Sequence, residues 1–433
     1  MPGTIETETV VVGSGPAGAA IARELARAGR SVVLLEKGRT HRWPIGRVWA
    51  YATMYDIRRS KDGIIVRRGI TTGGSTVLYS GNAYDPPAFL SDELGIDLSE
   101  EVAETKRELG VRAVPEAFYA DYAGTRRLME AADALGYPMR PQERFIDFER
   151  CDSRCDRCLF GCARGAKWTA RSYVEDAVVA GATFLDRCDV GRVLIDDGRA
   201  TGVAARLAGR GSLTVRAERV VLAAGGIGTP MILQRSGIEE AGTHFFTDPM
   251  SIVVGVMREG PGTFHEITFT VANHTHAGRF MIGNVGAVNG FMAQLFKANF
   301  PYLFRAPAVR RVAGLFVKVC DEPSGRVTVD GTLEKTLTGR DEANMAEGVG
   351  LARKILEEAG ADPASIAVAK GIGGHPGGTA AIGRVVDERL ETRVRNLFVC
   401  DNSVMPRSGG VPPVLTIVAL AKKTARETLL TRH

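Results

Sequence analysis

The sequence predicts a mixed α/β fold, α+β overall, and three stretches of the chain carry that prediction. Residues 8–36 have the pattern of a strand, a glycine-rich turn, a helix and a second strand. Residues 220–238 again run from an apolar strand through glycines into the start of a helix. Between residues 243 and 332, for example at 265–273, apolar and polar side chains alternate as they do in strands. These patterns predict one domain with a strand-helix-strand core and a second, strand-rich domain.

The first stretch has the spacing of a dinucleotide-binding turn. Apolar residues 10–12 lead into Gly13-x-Gly15-x-x-Gly18, and the second strand ends on an acid. In such a turn the first glycine permits the tight bend, the second lets the backbone approach a pyrophosphate, and the third lets helix and strand pack closely. The pyrophosphate lies at the positive end of the helix, and the acid accepts a hydrogen bond from ribose. The spacing does not separate FAD from NAD. The predicted contacts are Gly13, Gly15, Pro16, Ala17, Gly18, Glu36 and Lys37.

The composition is that of a soluble globular protein. The chain has 433 residues, 45% hydrophobic and 24% charged, which is enough for a large core and two domains. Its net charge of +5 is mild and its arginine pairs are scattered, which favours a solvated surface over a nucleic-acid-binding face. No apolar segment reaches the ~20 residues that span a bilayer. The first strand begins near residue 8, which leaves no room for a signal peptide. We therefore expect a cytoplasmic protein without a membrane span.

Two further glycine-containing turns are candidates for the same cofactor site. The run 73–76 offers small side chains and backbone donors where a planar ring or a phosphate could approach. The same run would equally suit an ordinary turn, so both interpretations stay open. At 224–225 an apolar strand gives way to a helix with a proline near its start, which predicts another close approach of backbone to cofactor. The residues concerned are Gly73, Gly74, Ser75, Thr76, Ala224 and Gly225.

Four of the seven cysteines fall within residues 151–162, spaced C-x3-C-x2-C-x3-C. Disulfides would need an oxidising compartment, and zinc usually takes two separated pairs of cysteines. An iron-sulfur cluster fits best, because soft thiolates that are close together in a turn-rich loop can wrap a compact inorganic core. Nearby arginines could offset the charge of the thiolates. Zinc and thiols without metal remain alternatives. The predicted metal ligands are Cys151, Cys155, Cys158 and Cys162.

The C-terminal block contains a candidate catalytic residue. His375 stands between glycines, so little bulk would keep a ligand away from its ring. An unperturbed pKa near 6.5 suits proton transfer at neutral pH, although a structural histidine would look the same in the sequence. A strand at 397–400 ends at Asp401, and a helix begins near Pro413. This arrangement predicts one more strand-to-helix turn against the cofactor.

Taken together, these motifs resemble those of the glucose-methanol-choline (GMC) oxidoreductases, a family of FAD enzymes. The glycine turn with its acid, the run 73–76, the element 225–238, and the C-terminal HPGGT and DNSVMP motifs occur in the family's order. The resemblance implies a Rossmann-like FAD-binding domain assembled from discontinuous segments, and a substrate domain built on an antiparallel sheet. The segments are 1–95, 165–240 and 365–433 for FAD binding, 96–164 for a helical segment with the cysteine loop, and 241–364 for the substrate domain.

The resemblance also implies the chemistry. An alcohol carbon gives hydride to the flavin, while His375, which matches the family's active-site histidine, takes or orients the hydroxyl proton. Glu36 matches the ribose ligand, and Asp401 falls in a segment that borders the flavin's ribityl chain and pyrophosphate. Pro412 and Pro413 lie in the last cofactor motif. The family usually has a histidine or asparagine where this chain has Pro412, so the usual catalytic pair is broken.

The cysteine run is similar to the iron-sulfur segment of bacterial FAD-dependent sugar dehydrogenases in this family. Those proteins use three cysteines for a three-iron cluster, whereas Cys151 could add a fourth ligand and favour a four-iron cluster. We therefore expect a dehydrogenase that oxidises an alcohol or sugar-like hydroxyl and passes electrons through the cluster to a carrier protein such as a ferredoxin. Two alternatives stay open: a reductase of a carbonyl or activated double bond that a reduced carrier drives, and a flavin-containing electron-transfer subunit without its own substrate. A homo-oligomer also stays open.

Overall fold

The computed structural model describes residues 3–43, 45–297 and 305–431. Its strands are β1 (Gly3–Val12), β2 (Val32–Leu35), β3 (Tyr55–Arg59), β4 (Ile65–Gly69), β5 (Arg112–Ala113), β6 (Arg140–Pro141), β7 (Glu143–Arg144), β8 (Thr183–Leu185), β9 (Cys188–Asp196), β10 (Arg199–Leu207), β11 (Gly211–Leu222), β12 (Thr243–Phe245), β13 (Met250–Val256), β14 (Val271–Asn273), β15 (Phe280–Val285), β16 (Val312–Val319), β17 (Gly325–Val327), β18 (Leu333–Glu334), β19 (Ala367–Gly373) and β20 (Leu397–Val399).

The α-helices pack around and between two large sheets. Among the described residues, no helix combines the length and the apolar character that crossing a bilayer requires. The helices are α1 (Pro16–Arg27), α2 (Ala50–Thr53), α3 (Phe89–Asp92), α4 (Ser99–Glu108), α5 (Glu116–Tyr119), α6 (Ala123–Ala134), α7 (Arg171–Val179), α8 (Gly225–Arg235), α9 (Ala287–Phe296), α10 (Gly339–Glu358) and α11 (Val414–Thr424).

The first sheet has seven strands in the order β8-β2-β1-β11-β10-β9, with β20 also paired to β11. The pairs β8/β2, β2/β1, β1/β11 and β11/β20 are parallel, whereas β10 runs antiparallel to β9 and β11. The end of β1 is fully buried, so its sequence is continuously apolar instead of alternating. Helix α1 packs on this sheet together with α7 and α11. The predicted strand-helix-strand core is confirmed.

The second sheet has eight strands in the order β3-β4-β19-β13-β16-β15-β14-β6. All of its pairs are antiparallel except β4/β19. Along β16 the side chains alternate: Leu315 and Val317 pack with helix α10, whereas Phe316 belongs to a second apolar cluster on the opposite side. This opposite side is called the cavity face below. Two-residue periodicity places Lys318 on the cavity face with Phe316.

The strand ladders cross the domain boundaries predicted from the sequence. Strands β3 and β4 fall within the segment 1–95, and β19 falls within 365–433, yet all three belong to the eight-stranded sheet because β4 pairs with β19 and β19 with β13. The alternating stretch 265–273 yields only the short strand β14. His265 and Phe269 both have a φ of 62°, which turns the chain away from an extended path.

Candidate functional site

A cavity of about 340 Å³ lies between the seven-stranded sheet and the cavity face of the eight-stranded sheet, within the size range of small-molecule sites. It brings together residues that are far apart in the chain. Most of the residues that the sequence predicts for the site line this cavity: Gly13, Gly15, Pro16, Ala17, Glu36, Lys37, Gly74, Ser75, Thr76, Ala224, Gly225, His375, Asp401, Pro412 and Pro413. Gly18 and Gly73 lie behind its wall.

The glycines of the first turn divide into two groups. A Cβ at Gly15 would meet no atom within 4 Å, and the same holds at Gly225, so both leave the backbone open toward the cavity. A Cβ at Gly18 would lie 1.9 Å from the carbonyl oxygen of Gly13, and one at Gly13 would lie 2.3 Å from that of Ala223. Gly13 and Gly18 are therefore required by packing. Gly15 and Gly225 leave the space that a cofactor would use.

Ser14, which the sequence analysis does not single out, joins two of the predicted motifs. Its hydroxyl donates to Glu36 Oε2 at 2.7 Å and accepts from the amide of Gly73 at 3.1 Å. Gly73 adopts a φ of 86°, a left-handed conformation that favours glycine. The bend at Gly73, behind the cavity wall, places Gly74 against Gly15. A Cβ on Gly74 would lie 2.9 Å from the Cα of Gly15.

Glu36 is buried at the end of β2, as the predicted ribose ligand should be. Its carboxylate accepts hydrogen bonds from the Ser14 amide at 2.9 Å and the Gly38 amide at 2.6 Å. Burial raises the pKa of Glu36, and these hydrogen bonds oppose that rise. Two carboxylate oxygens offer about four acceptor positions. Since three are in use, Glu36 keeps capacity for one ribose hydroxyl.

Asp401 ties the end of β20 to the start of α8. Its Oδ2 accepts from the Gly225 amide at 2.8 Å and from the Thr229 hydroxyl at 2.6 Å, and its Oδ1 accepts from the Ser403 amide at 2.7 Å. The carboxylate therefore fixes the turn at Ala224 and Gly225 and also lines the cavity. Its predicted place beside the cofactor stays a prediction.

His375 stands in the cavity wall, with 24% of its side chain exposed. Its Nδ1 lies 3.0 Å from Asp248 Oδ2. Its backbone is held from the other side, because the Asn402 amide donates to the His375 carbonyl at 3.1 Å. Burial and the Lys318 ammonium lower the pKa of His375, while Asp248 opposes that change. The ring is therefore fixed in one orientation.

Sequence reasoning missed Asp248 and Lys318. Lys318 Nζ lies 2.9 Å from Asp248 Oδ2 and 3.4 Å from His375 Nδ1, and the Lys318 and Asp248 side chains are only 2% and 3% exposed. Ser408 also donates to Asp248. Burial favours the neutral acid, but Lys318, His375 and Ser408 outweigh it and hold the pKa of Asp248 at about 2. A lysine in the otherwise apolar run of β16 is the one signal that could have marked this group.

The cavity face beyond His375 is predominantly apolar. Two polar side chains there, Thr268 and Asn289, bond to each other at 2.8 Å, and the Thr268 hydroxyl also accepts from the Gly286 amide at 2.9 Å. The Asn289 carbonyl oxygen Oδ1 is buried and has no hydrogen-bond partner among the described residues, so it remains as an open acceptor. The apolar lining consists of Met250, Ile252, Phe269, Met281, Val285, Met292, Phe316 and Ile372.

The four predicted metal ligands occupy one loop beside the cavity, to whose wall that loop contributes Leu159. All four cysteines are partly exposed free thiols. Burial, followed by the nearby Cys158, raises the pKa of Cys151 to about 12. Across the described ranges, however, no group of three or more His, Cys, Asp or Glu side chains is arranged to hold a metal ion. The residues as placed do not form the predicted centre.

The buried side chain of Lys167 binds the backbone of the cysteine loop. Lys167 Nζ donates to the carbonyl oxygens of Cys158 at 2.7 Å and Val77 at 3.1 Å. Burial lowers the pKa of Lys167 to about 8, although the neighbouring thiols of Cys158 and Cys162 oppose it. Lys167 thus links the loop to the segment that follows the predicted cofactor turn at 73–76.

The sequence matches models of a known protein family and several individual proteins. Two family models match, both described as GMC oxidoreductase: the N-terminal one over residues 7–255 and the C-terminal one over 321–421. A GMC-type oxidoreductase of Mycobacterium tuberculosis is 28% identical over 493 aligned residues, which cover 99% of this chain and 76% of that protein. A protein of Methanocaldococcus jannaschii is 27% identical, with 97% of this chain and 99% of that protein covered.

More distant relatives have established names. The long-chain-alcohol oxidase FAO4A of Arabidopsis thaliana is 23% identical over 96% of this chain and 68% of its own length. Among solved structures, pyridoxine 4-oxidase from Mesorbium loti has a TM-score of 0.74 at 19% identity, with 99% of this chain and 100% of that chain covered. Formate oxidase from Aspergillus oryzae has a TM-score of 0.74 at 16% identity, with 98% of each chain covered. The two structures share the fold of this chain.

Proposed function

The chain belongs to the GMC oxidoreductase family and is an FAD-dependent enzyme that acts on CH–OH groups, and from that premise we propose that it oxidises an alcohol whose body is apolar. The observation that carries this proposal is the position of His375. Its ring lies 3.4 Å from Lys318 Nζ on the cavity face, and its carbonyl accepts a hydrogen bond from Asn402, the residue after Asp401, in the wall of a cavity whose other lining is largely apolar. An alcohol would place its hydroxyl at the histidine and its chain against the cavity face.

The residues present fit FAD. Gly15 and Gly225 leave open backbone at the two helix starts, and Glu36 keeps an acceptor for a ribose hydroxyl. Lys37 and the run 74–76 complete the wall. When bound, FAD supplies the acceptor for the hydride that leaves the alcohol carbon.

His375 handles the proton in this proposal. A distance of 3.0 Å between Nδ1 and a buried carboxylate assigns the ring proton to Nδ1, which donates a hydrogen bond to Asp248. The other ring nitrogen, Nε2, then carries a lone pair and takes the proton of the alcohol hydroxyl as the C–H bond breaks. The apolar cavity face excludes water from this step, which strengthens the electrostatic interactions of the histidine.

The cavity face favours an apolar alcohol over the sugar-like substrate that the sequence also allows. Every hydroxyl of a sugar that is buried without a partner costs roughly 1–3 kcal/mol. Thr268 and Asn289 bond to each other, and the unpartnered Asn289 Oδ1 adds one acceptor, which is fewer than the several hydroxyls of a sugar require. An alkyl or aryl body instead gains from contact with Phe316, Met281 and their neighbours. The name of the Arabidopsis relative, a long-chain-alcohol oxidase, supports the same choice.

Anaerobic reduction of the FAD-loaded enzyme tests the proposal. We expect 1-octanol to bleach the oxidised flavin absorption band and D-glucose at the same concentration to leave it intact. A Phe316→Asp variant places a charge on the apolar wall and should lose the response to octanol while it still binds FAD. Bleaching by glucose alone would overturn the choice of substrate. If a panel of primary and benzylic alcohols produced no bleaching at all, alcohol oxidation itself would be refuted.

The route by which electrons leave the enzyme stays a prediction. Four cysteines in one loop, with Leu159 in the cavity wall, support an iron-sulfur cluster and a carrier such as a ferredoxin. The side chains as placed do not form a metal site among the described residues, so no step above depends on one. Iron and sulfide analysis, together with EPR on protein purified without oxygen, decides whether the loop holds an iron-sulfur cluster or no metal. Near four or three irons would support the cluster, whereas iron-free enzyme that consumes oxygen on alcohol would make it an oxidase.

A further inference from the structure

Pro412 leaves a gap in the chemistry of the site. It lines the cavity, but a proline side chain neither donates nor accepts a hydrogen bond. Either His375 acts alone, or a polar side chain that assists it comes from another part of the chain. The structure brings one group close to His375, the buried pair of Lys318 on β16 and Asp248 just before β13.

Asp248 is held in place by its backbone conformation and by several hydrogen bonds. Its φ of 45° lies in the left-handed region, which few residues other than glycine adopt. Its amide donates to Asp321 Oδ1 at 2.8 Å, and its carboxylate accepts from Ser408 and Lys318. Such a conformation persists only where the surroundings determine it, and it is common at functional sites. The carboxylate that faces His375 is therefore rigid.

The charges around His375 oppose each other. A carboxylate alone beside a histidine stabilises the imidazolium form, which cannot accept a proton. Here an ammonium group lies 3.4 Å from the same ring nitrogen, in an almost fully buried setting. Behind this pair, Asp321 is neutralised by Lys335 at 2.9 Å. The other titratable side chains that interact with Lys318 are Cys320 and His274.

We propose that Lys318 and Asp248 act together as positioning residues for His375, in a site where position 412 offers no polar side chain. Asp248 orients the ring of His375 by accepting a hydrogen bond from its Nδ1–H, and Lys318 offsets the charge of that carboxylate, so that His375 enters the reaction as a neutral base. The pair fixes the Nδ1–H tautomer and also keeps the ring neutral. A lone carboxylate would fix the tautomer, but its negative charge would stabilise the doubly protonated imidazolium form. The proposal rests on the role of His375 in the proposed function.

Two single variants separate these tasks because they change the ring in opposite directions. Lys318→Met removes the positive charge and should raise the pKa of His375 by about one pH unit or more. Asp248→Asn removes the negative charge, so the pKa of His375 should fall, and the ring should lose its fixed Nδ1–H tautomer. Lys318→Arg keeps the charge and should leave the pKa of His375 close to the wild-type value.

The readout is an NMR titration of the FAD-loaded enzyme labelled with nitrogen-15 at histidine, with His375→Gln to assign the resonance. Nitrogen chemical shifts report both the pKa and the tautomer, and they require no substrate. A purely structural role for the pair would move the pKa of His375 in the same direction in both variants or leave it unchanged. Either result would overturn the proposal.

Kinetics with 1-octanol then connect the titration to the reaction. In Lys318→Met, flavin reduction should be slower at pH 6 than at pH 8 by a larger factor than in the wild type, because a larger share of His375 is protonated at pH 6 once its pKa has risen. In Asp248→Asn, the rate should fall at every pH. If the titration shows the opposite shifts but no alcohol reduces the flavin of the wild type, the charge pair stands and the proposed function fails.

Discussion

At the residue scale, the important property of His375 is that one ring nitrogen is already committed. Its Nδ1 lies 3.0 Å from Asp248, which leaves Nε2 as the nitrogen that can accept a proton from a ligand in the cavity. The backbone around the histidine is fixed as well, since Gly374 donates to the Thr247 carbonyl at 3.1 Å and Asn402 donates to the His375 carbonyl. Geometry of this kind is what general base catalysis needs.

Replacing His375 with alanine should therefore affect the reaction and not the cofactor. We expect flavin reduction by 1-octanol to slow by roughly 10²–10⁴-fold, since that is the usual contribution of a positioned base. FAD content should stay at the wild-type level, because the predicted FAD contacts lie in other segments. Stopped-flow absorbance under anaerobic conditions measures the rate. His276→Ala is a suitable control, because that ring stacks on Phe280 and does not line the cavity. Wild-type rates in His375→Ala would remove it from the mechanism.

Which site residues could be predicted depends on how local their signal is. The glycine turn, Glu36 and His375 are recognisable because spacing within a few residues encodes their geometry. Asp248 and Lys318 could not be predicted in the same way. They meet His375 only because β13 pairs with both β16 and β19, a relation between segments far apart in sequence. A single sequence carries no pairing register, so the partner of His375 stays hidden until the sheet is known.

At the scale of secondary-structure elements, the first β1-α1 turn separates packing from cofactor binding. Gly18 lies where helix α1 touches the turn, and any side chain there would overlap the Gly13 carbonyl. Gly15 is the residue before α1, with φ and ψ of −65° and −175°, which other residues also adopt. The absence of a side chain at Gly15 is therefore not required by its backbone conformation, and it keeps the space in front of the turn open.

The turn offers a matched pair of variants. Gly18→Ala should lower the free energy of unfolding of the FAD-free protein by roughly 2–3 kcal/mol, because overpacking forces the backbone to shift. Gly15→Ala should leave that stability within about 0.5 kcal/mol of the wild type. It should nevertheless weaken FAD binding by about tenfold or more, because its methyl group occupies the pyrophosphate approach.

Denaturant unfolding of the apoprotein and fluorescence titration with FAD measure the two effects. Equal losses of stability in the two variants would show that Gly15 is also a packing residue. Unchanged FAD affinity in Gly15→Ala would place the pyrophosphate elsewhere.

Strands were harder to predict than this turn. Residues 265–273 alternate as a strand should, yet only β14 forms there, since two residues with positive φ redirect the chain. The run of β16 was predictable as buried, but which of its side chains face the cavity depends on α10 covering the other side. Local pattern indicates that a strand exists, and packing decides what each of its faces contacts.

At the scale of the whole molecule, the two ends of the chain are joined by a cluster of charged residues. Lys422 of α11 is fully buried, and its Nζ lies 2.7 Å from Glu108 and 3.0 Å from Glu104, both on α4. Arg23 of α1 also bonds to Glu108. Burial would favour the neutral acid, but the hydrogen bonds from Arg23 and Lys422 outweigh it and hold the pKa of Glu108 at about 2.

This cluster predicts how stability depends on pH. The pKa of Glu108 is lower in the folded state than its ordinary value of 4.5, so its contribution is present above pH 4.5 and is lost as pH falls toward 2. Glu108→Gln should reduce the free energy of unfolding by roughly 2 kcal/mol at pH 7, and the difference from the wild type should shrink between pH 5 and pH 3. Urea titrations at several pH values measure it.

Glu427 provides the control, because it forms an exposed pair with Lys423 four residues earlier. Glu427→Gln should change the free energy of unfolding by less than about 0.5 kcal/mol at any pH. A constant difference between wild type and Glu108→Gln from pH 7 to pH 3 would mean that Glu108 acts through packing and not through its charge.

The whole-molecule arrangement also explains why domain boundaries were difficult to predict. The chain moves repeatedly between the two sheets, so that β4 and β19, over three hundred residues apart, become neighbours. The motifs lie where the sheets meet. Sequence motifs therefore identify residues that line one cavity, while they say little about which sheet each flanking strand joins.

The central claim is that hydride leaves the carbinol carbon of an apolar alcohol while His375 removes the hydroxyl proton. The most direct test is the anaerobic rate of flavin reduction by 1-octanol compared with 1-octanol that carries deuterium at carbon 1. We expect deuterium to slow the wild-type reaction several-fold, and His375→Ala to lower both rates while FAD stays bound. A slow step before C–H cleavage could hide the effect of deuterium at one pH. The rates with the two alcohols are therefore compared at pH 6, 7 and 8. Equal rates throughout, or no reduction by either alcohol, would contradict the claim.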